Sequence, residues 1–180
     1  ALEAQLSSVY NQLRGVLGRR YMEAMALSSD EETAVSYSGG WVDADAYSHP
    51  TLHNYSYEDA TIDWMGELGA GCVKANEIIQ SQADEKKYKA PARAMRAYFE
   101  FIMMDSWGDA PIIDPSLDGQ INISDRQPRG DVARWIEKEL LDVIPLLPTE
   151  TGSAYYGTAT KYMAQALLAK LYINWPVYTA

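Results

Sequence analysis

Leu2, Leu6, Val9, Tyr10, Leu13, Val16 and Leu17 recur at intervals of three and four, the spacing that lines one face of a helix. Gly18 stands where that helix can stop, and Tyr21–Leu27 reads as a further short turn or an extended piece. A second helical period runs over 61–82, with Trp64, Leu68, Cys72, Val73 and Ile79 on one face. Gly66, Gly69 and Gly71 interrupt it. They weaken intrinsic helix propensity and point to the close approach of a neighbouring helix. A third helix is predicted over 88–107, with Ala94, Tyr98, Phe101, Ile102 and Asp105 in phase and Pro91 tolerated near its start. Gly108 ends it, and Pro111 and Pro115 prevent a restart. A fourth begins near Asp131 as N-cap. Val132, Trp135, Ile136, Leu140, Val143, Ile144 and Leu147 face inward there, Arg134, Glu137, Lys138 and Asp142 face outward, and Pro145 and Pro148 close it. A fifth covers 160–174 with Met163, Ala166, Leu167, Leu171 and Tyr162 inward, until Trp175-Pro176 breaks it. Between the third and fourth, 112–123 is a proline- and glycine-punctuated connection with room for a short strand.

Long helices packed in pairs through Ala, Tyr and Leu predict an all-α fold, a tetratricopeptide-like helical repeat scaffold with long irregular loops. No clean self-match at a fixed period accompanies it. The stretch 28–57 sustains no period. It holds Gly39-Gly40, Pro50 and many serines, together with Tyr37, Trp41, Tyr47, Tyr55 and Tyr57. So long a loop inside a compact domain is unusual, and such loops tend to carry function. At the other end, 172–180 is apolar and aromatic with no polar cap. A helical stack ending there would be poorly soluble, so more chain or a partner is expected after Ala180.

The chain has 180 residues, 47% of them hydrophobic, enough for one domain with a real core. Its net charge of −10, with no Lys/Arg cluster, excludes nucleic acid as a natural partner. One cysteine, Cys72, rules out an internal disulfide and leaves the compartment open. No apolar run reaches the roughly 18 residues of a membrane span. Aromatics are skewed to 13 Tyr and 5 Trp against 2 Phe, which favours half-wet surfaces and grooves over a purely apolar core.

Trp41 is the best candidate ligand contact. It lies beside Gly39-Gly40 in a polar loop, and the C–H face of a sugar stacks on an indole because the ring face is apolar and electron-rich. The same side chain could equally anchor its own loop. Tyr47, His49, Asn54 and Tyr55 are further candidates. Asp43 and Asp45 could accept hydrogen bonds from sugar hydroxyls, or simply be solvated. The acidic run Asp30, Glu31 and Glu32 does not provide the two separated carboxylates a glycosidase needs; a helix-start or arginine-pairing role suits it better. His49 and His53 are four apart, but Pro50 between them disfavours a helix, and no third metal ligand accompanies them. Cys72 on an apolar helical face reads as a buried inert thiol. Asp114, Asp118, Asn122 and Asp125 lack the calcium-loop pattern. No phosphate-cradling loop or nucleophile elbow is present, so neither a cofactor nor catalysis is expected.

Several blocks occur in a telling order: Ser29-Asp30-Glu31, Trp64, Ala75-Asn76-Glu77-Ile78-Ile79, and Ala92-Arg93-Ala94-Met95-Arg96-Ala97-Tyr98. Asp105-Ser106-Trp107-Gly108-Asp109-Ala110-Pro111-Ile112 follows, then Glu139-Leu140-Leu141-Asp142-Val143-Ile144-Pro145-Leu146-Leu147-Pro148. Gly157-Thr158-Ala159-Thr160-Lys161 then leads into Ala164-Gln165-Ala166-Leu167-Leu168-Ala169-Lys170-Leu171-Tyr172. As an ordered set they resemble the SusD/RagB family, the nutrient-binding outer-membrane lipoproteins of Bacteroidetes, over nearly the whole chain. The resemblance implies tetratricopeptide-like helices and a surface-exposed protein held by an N-terminal lipid anchor. It also implies a SusC-like TonB-dependent transporter as partner and a glycan, or in some branches a peptide, as ligand, with no enzymatic activity. The lipidated cysteine is absent, and family members are longer. Residues 1–180 are therefore expected to be the N-terminal part of a single SusD-like domain. The family implies that part of the ligand arc comes from the loop after Ser-Asp-Glu, here 31–57, without transferring individual residues. A scaffold with only protein partners is the rival reading; under it Trp41→Ala leaves binding unchanged.

Overall fold

The computed structural model describes residues 1–32, 48–54, 56, 62–118 and 125–180. These form two compact units. One comprises Ala1–Asn11 and Leu68–Ala180, the other Gln12–Glu67. Helices dominate both, and among the described residues the sole strand-like pairing is an antiparallel bridge between Ala110 and Gln127. Of the connection 112–123, where a short strand was expected, residues 112–118 form no strand, and 119–123 lie outside the described residues.

Within the larger unit, α4 (Met65–Ile79, entering the unit at Leu68), α5 (Ala90–Trp107), α7 (Arg129–Val143) and α8 (Lys161–Ile173) supply the core. A single π-type turn, Glu85–Lys89, opens into α5, started by Asp84 Oδ1 accepting from Lys87 N at 2.7 Å. Thirteen of the eighteen α5 residues are buried, including Arg96 and Glu100, so α5 is covered on nearly every side and packs chiefly on α7. Its alanines, Ala90, Ala92, Ala94 and Ala97, let neighbours come close. The largest buried side chains on it, Phe99, Phe101, Ile102, Met103 and Met104, fill the space between. Gly108 ends α5 at φ +78°, a left-handed conformation that glycine adopts without a Cβ clash. The chain then passes through a short helix, α6 (Pro115–Asp118), on its way to α7.

Gly71 accounts for one of the helical glycines. A Cβ there would stand 2.6 Å from the Phe99 ring, so α4 and α5 approach through it. Gly66 has no such neighbour, and Gly69 has only an ordinary contact at 3.6 Å from Ile113 Cδ1. On α4 the buried face runs Leu68, Gly71–Cys72, Ala75, Ile78. Val73 is exposed, against expectation, because it lies about 140° around the helix from Leu68; Ile79 is in phase with the buried face but, as the last residue of α4, is only half-buried.

α7 begins at Arg129 rather than at Asp131. Asp109 Oδ1 accepts from Arg129 N at 2.9 Å, while Asp131 sits in the first turn and pairs with Arg134 at 2.7 Å. A 3₁₀ turn, Ile144–Leu146, absorbs Pro145. Another, Ser153–Tyr155, precedes α8. Thr160 caps α8, its hydroxyl accepting from Met163 N at 3.3 Å. Leu167 and Leu171 are buried as expected, with Ala164. Tyr162 and Ala166 are exposed instead of inward, because the buried line of α8 follows 164, 167 and 171. Asn174 separates α8 from a last turn, α9 (Trp175–Tyr178). Tyr178 packs edge-on to Phe101 at 6.2 Å and donates to Asp105 Oδ1 at 2.6 Å.

Gly18 stops nothing. α1 (Leu2–Gly15) runs through a π-type turn, Val16–Arg20, straight into α2 (Tyr21–Leu27). The wide turn accommodates the glycine while keeping helical direction. In the smaller unit, Tyr21 and Trp64 are buried together edge to face, with ring centroids 6.2 Å apart. α3 (Ser48–Leu52) is also helical although it contains Pro50. The proline occupies the first turn, where its missing N–H and fixed φ cost nothing.

Candidate functional site

Of the six sequence-nominated ligand residues, Trp41, Asp43, Tyr47 and Tyr55 lie outside the described residues. His49 and Asn54 are described. His49 sits half-buried on α3, and its carbonyl accepts from Asn54 N at 3.1 Å, so the two residues close the C-terminal end of that short helix. Asn54 is exposed. His53, between them, leaves the helix at φ +53° and turns its Nε2 to within 2.9 Å of the Ser28 carbonyl. It therefore does not continue a helical His pair with His49. That contact joins the two borders of the long aromatic segment. Asp30, Glu31 and Glu32 are exposed just past the C-terminal end of α2, not at its start; Ser29 Oγ accepts from Glu31 N at 3.2 Å there.

The larger unit holds a polar cluster that sequence reasoning missed. Asn76, Arg96, Glu100, Asp114 and Glu139 are all buried. Arg96 is its centre. Its Nη1 donates to Asn76 Oδ1 at 2.7 Å and Asp114 Oδ1 at 3.1 Å. Its Nη2 donates to Asp114 Oδ2 at 3.3 Å and Glu139 Oε2 at 2.9 Å. The guanidinium also lies 5.2 Å from the Trp135 ring centroid, and Trp135 Nε1 donates to Asp114 Oδ2 at 3.2 Å. Arg93 adds a second fork on Glu139, with bonds of 2.7 and 3.2 Å. Burial works to raise the Asp114 carboxyl, but the Arg96 charge and the bonds from Ser116 and Trp135 outweigh it and hold the group below its ordinary value.

Ile113 is pinned from both sides of its peptide unit. Asn76 Nδ2 donates to its carbonyl at 2.9 Å, and its N–H donates to Glu100 Oε1 at 2.7 Å. Cys72 is buried beside Glu100, with Sγ 3.7 Å from Oε1. Burial and that carboxyl push the thiol well above its usual range, so it is an inert thiol as expected. Apart from Arg96 Nε and Glu100 Oε2, the cluster's polar groups are paired within it, and it ties together α4, α5, α7 and the connection after α5. That is a brace, and its chemistry is structural. The signal for it lay in α5: Arg93 and Arg96 stand in a helix of which eleven of the other sixteen positions are Ala, Met or aromatic. A charge in such surroundings must be paired.

Solved structures align with the chain, among them the following three. A laminarin-binding SusD-like protein matches with a TM-score of 0.75 at 20% identity, over 96% of this chain and 39% of its own. A SusD superfamily protein from Bacteroides vulgatus ATCC 8482 gives 0.74 at 20% identity, over 98% and 43%. The fold is SusD-like. A SusD-like protein from Bacteroides fragilis NCTC 9343 gives 0.71 at 20% identity, over 94% and 34%. The chain thus spans about two fifths of the length of the SusD-like proteins it matches. No family model and no curated protein matches the sequence. At this identity the SusD-like likeness is one of fold, and it bears out the tetratricopeptide-like helical scaffold expected from the sequence.

Proposed function

We propose that this chain is the N-terminal part of a SusD-like domain that binds a glycan at the cell surface and passes it to a SusC-like TonB-dependent transporter. The observation that carries the reading is the SusD-like fold shared with a laminarin-binding protein. The contacts assigned to the ligand are Trp41, Asp43, Tyr47, His49, Asn54 and Tyr55. In this reading Trp41 and the tyrosines offer flat apolar faces to sugar C–H groups, while Asp43, His49 and Asn54 exchange hydrogen bonds with hydroxyls. Binding by stacking on a shallow surface, with few hydroxyls fully desolvated, gives affinities of roughly micromolar to millimolar. The protein acts as a carrier and leaves the glycan uncut, with its membrane attachment through an N-terminal lipid.

The test is calorimetry of the full-length protein against a panel of soluble oligosaccharides that includes laminarin fragments, with Trp41→Ala beside the wild type. Heat of binding lost in the variant assigns the site to the 31–57 segment. Binding unaffected by the substitution moves the site elsewhere in the protein. Absence of binding to every sugar overturns the glycan reading and turns attention to peptides.

A further inference from the structure

Glu100 has no exposed surface. Its Oε1 accepts from Ile113 N and Cys72 Sγ, while its Oε2 is buried with no hydrogen-bond partner. One turn earlier on α5, Arg96 commits both terminal nitrogens to Asn76, Asp114 and Glu139, and its Nε is likewise buried without a partner. The charges of the cluster balance without Glu100, since half-buried Arg93 and buried Arg96 stand against Asp114 and Glu139. An ionised Glu100 would add a negative charge with one oxygen left unsatisfied in a medium that penalises it. Burial pushes this carboxyl from 4.5 up to about 8, against the lowering pull of the Ile113 N–H and the Arg96 charge.

What Glu100 grips is the strap from Ala110 to Ser116. Ile113 is 1% exposed and bonded to Glu100, so lifting the strap would open that carboxyl to water. We propose that Glu100 is a proton-operated latch, protonated while Ile113 is docked on it and ionised when the strap opens. The titratable and charged groups around it are Cys72 on α4, Arg96 on its own helix and Asp114 on the strap; Glu139 and Arg93 on the far side connect through Arg96. Cys72 is held well above its ordinary value and Asp114 below its own, so neither titrates between about pH 5 and 8. Both histidines, His49 and His53, belong to the other unit. A carboxyl raised in the docked state favours docking most fully below its ordinary value, and that advantage is lost as pH rises to the docked value. Across the window, strap opening releases one proton and grows about tenfold per pH unit.

Hydrogen exchange read by mass spectrometry on the full chain from pH 5 to 8 tests this, with rates corrected for intrinsic exchange. Peptides covering 110–116 should be less protected than peptides covering 132–143 on α7, and should lose about tenfold protection per pH unit. Glu100→Gln, neutral at every pH, should flatten that slope. A slope that survives Glu100→Gln overturns the latch. So does strap protection that is flat in the wild type, or equal to that of α7 at every pH, because the strap would then lift only when the whole unit unfolds. These last two outcomes are read on the wild type alone and decide the matter even if the variant does not fold.

Discussion

Arg96 meets Asp114 with both terminal nitrogens, Nη1 to Oδ1 at 3.1 Å and Nη2 to Oδ2 at 3.3 Å, while the same guanidinium holds Glu139. Asp114 has Arg96 as its charge partner, while Glu139 is held by Arg93 as well. Arg96→Met should cost about 3 to 5 kcal/mol, because it strands the Asp114 charge away from water. Arg96→Lys should recover only part of that loss, since an ammonium cannot present the planar fork. Urea unfolding of the three proteins measures it. A loss under 1 kcal/mol for the methionine variant would show that the brace is dispensable.

Acid should reveal the same pair from the other side. Asp114 is held below its ordinary value in the fold, so it stabilises the protein above about pH 4 and loses that contribution as pH falls through its lowered value. Asp114→Asn should therefore be less stable than wild type at pH 7, with the gap narrowing from about pH 5 to about pH 2. Parallel stability curves over that range would contradict the assignment.

Gly71→Ala places a methyl group into the Phe99 ring, 2.6 Å from its nearest atom. The expected cost is about 1 to 3 kcal/mol from overpacking, despite the better helix propensity of alanine. Phe99→Leu frees room at that spot, so the double variant should lose less than the sum of the two single changes. A thermal-melt cycle of four proteins reads the coupling.

Thr160→Ala removes the hydroxyl that accepts from Met163 N at the start of α8. A loss of about 1 kcal/mol is expected. Thr160→Asp should retain most of the stability, since a carboxylate caps as well and suits the positive end of the helix dipole.

The helices were legible because their hydrophobic period was: Val132, Ile136, Leu140 and Val143 mark the inner face of α7 as directly in the sequence as in the fold. Helix ends were harder. Gly18 looks like a stop, yet the backbone bridges it with one wide turn, and Asp131 looks like a cap, although the carboxylate that serves α7 comes from Asp109, 20 residues before Arg129. Long-range capping leaves no local trace. The buried brace was illegible for a similar reason, since Arg96, Asp114 and Glu139 are scattered through the chain and meet only after packing. Of the ligand candidates, the described residues include His49 in the first turn of α3 and Asn54 just past its end, a placement obscured in the sequence because a proline such as Pro50 disfavours a helix interior. Proline in a first turn does not.

Tyr10 and Ala159 are joined by a hydrogen bond, Ala159 N to Tyr10 Oη at 3.1 Å, across 149 residues of sequence. During synthesis α1 leaves the ribosome 149 residues ahead of this partner. At roughly 5 to 20 residues per second, the tyrosine waits on the order of 10 to 30 s for it. Until then the Tyr10 hydroxyl has no Ala159 N–H to accept from, so this tie between the two ends of the unit can close only late in the making of the segment between them.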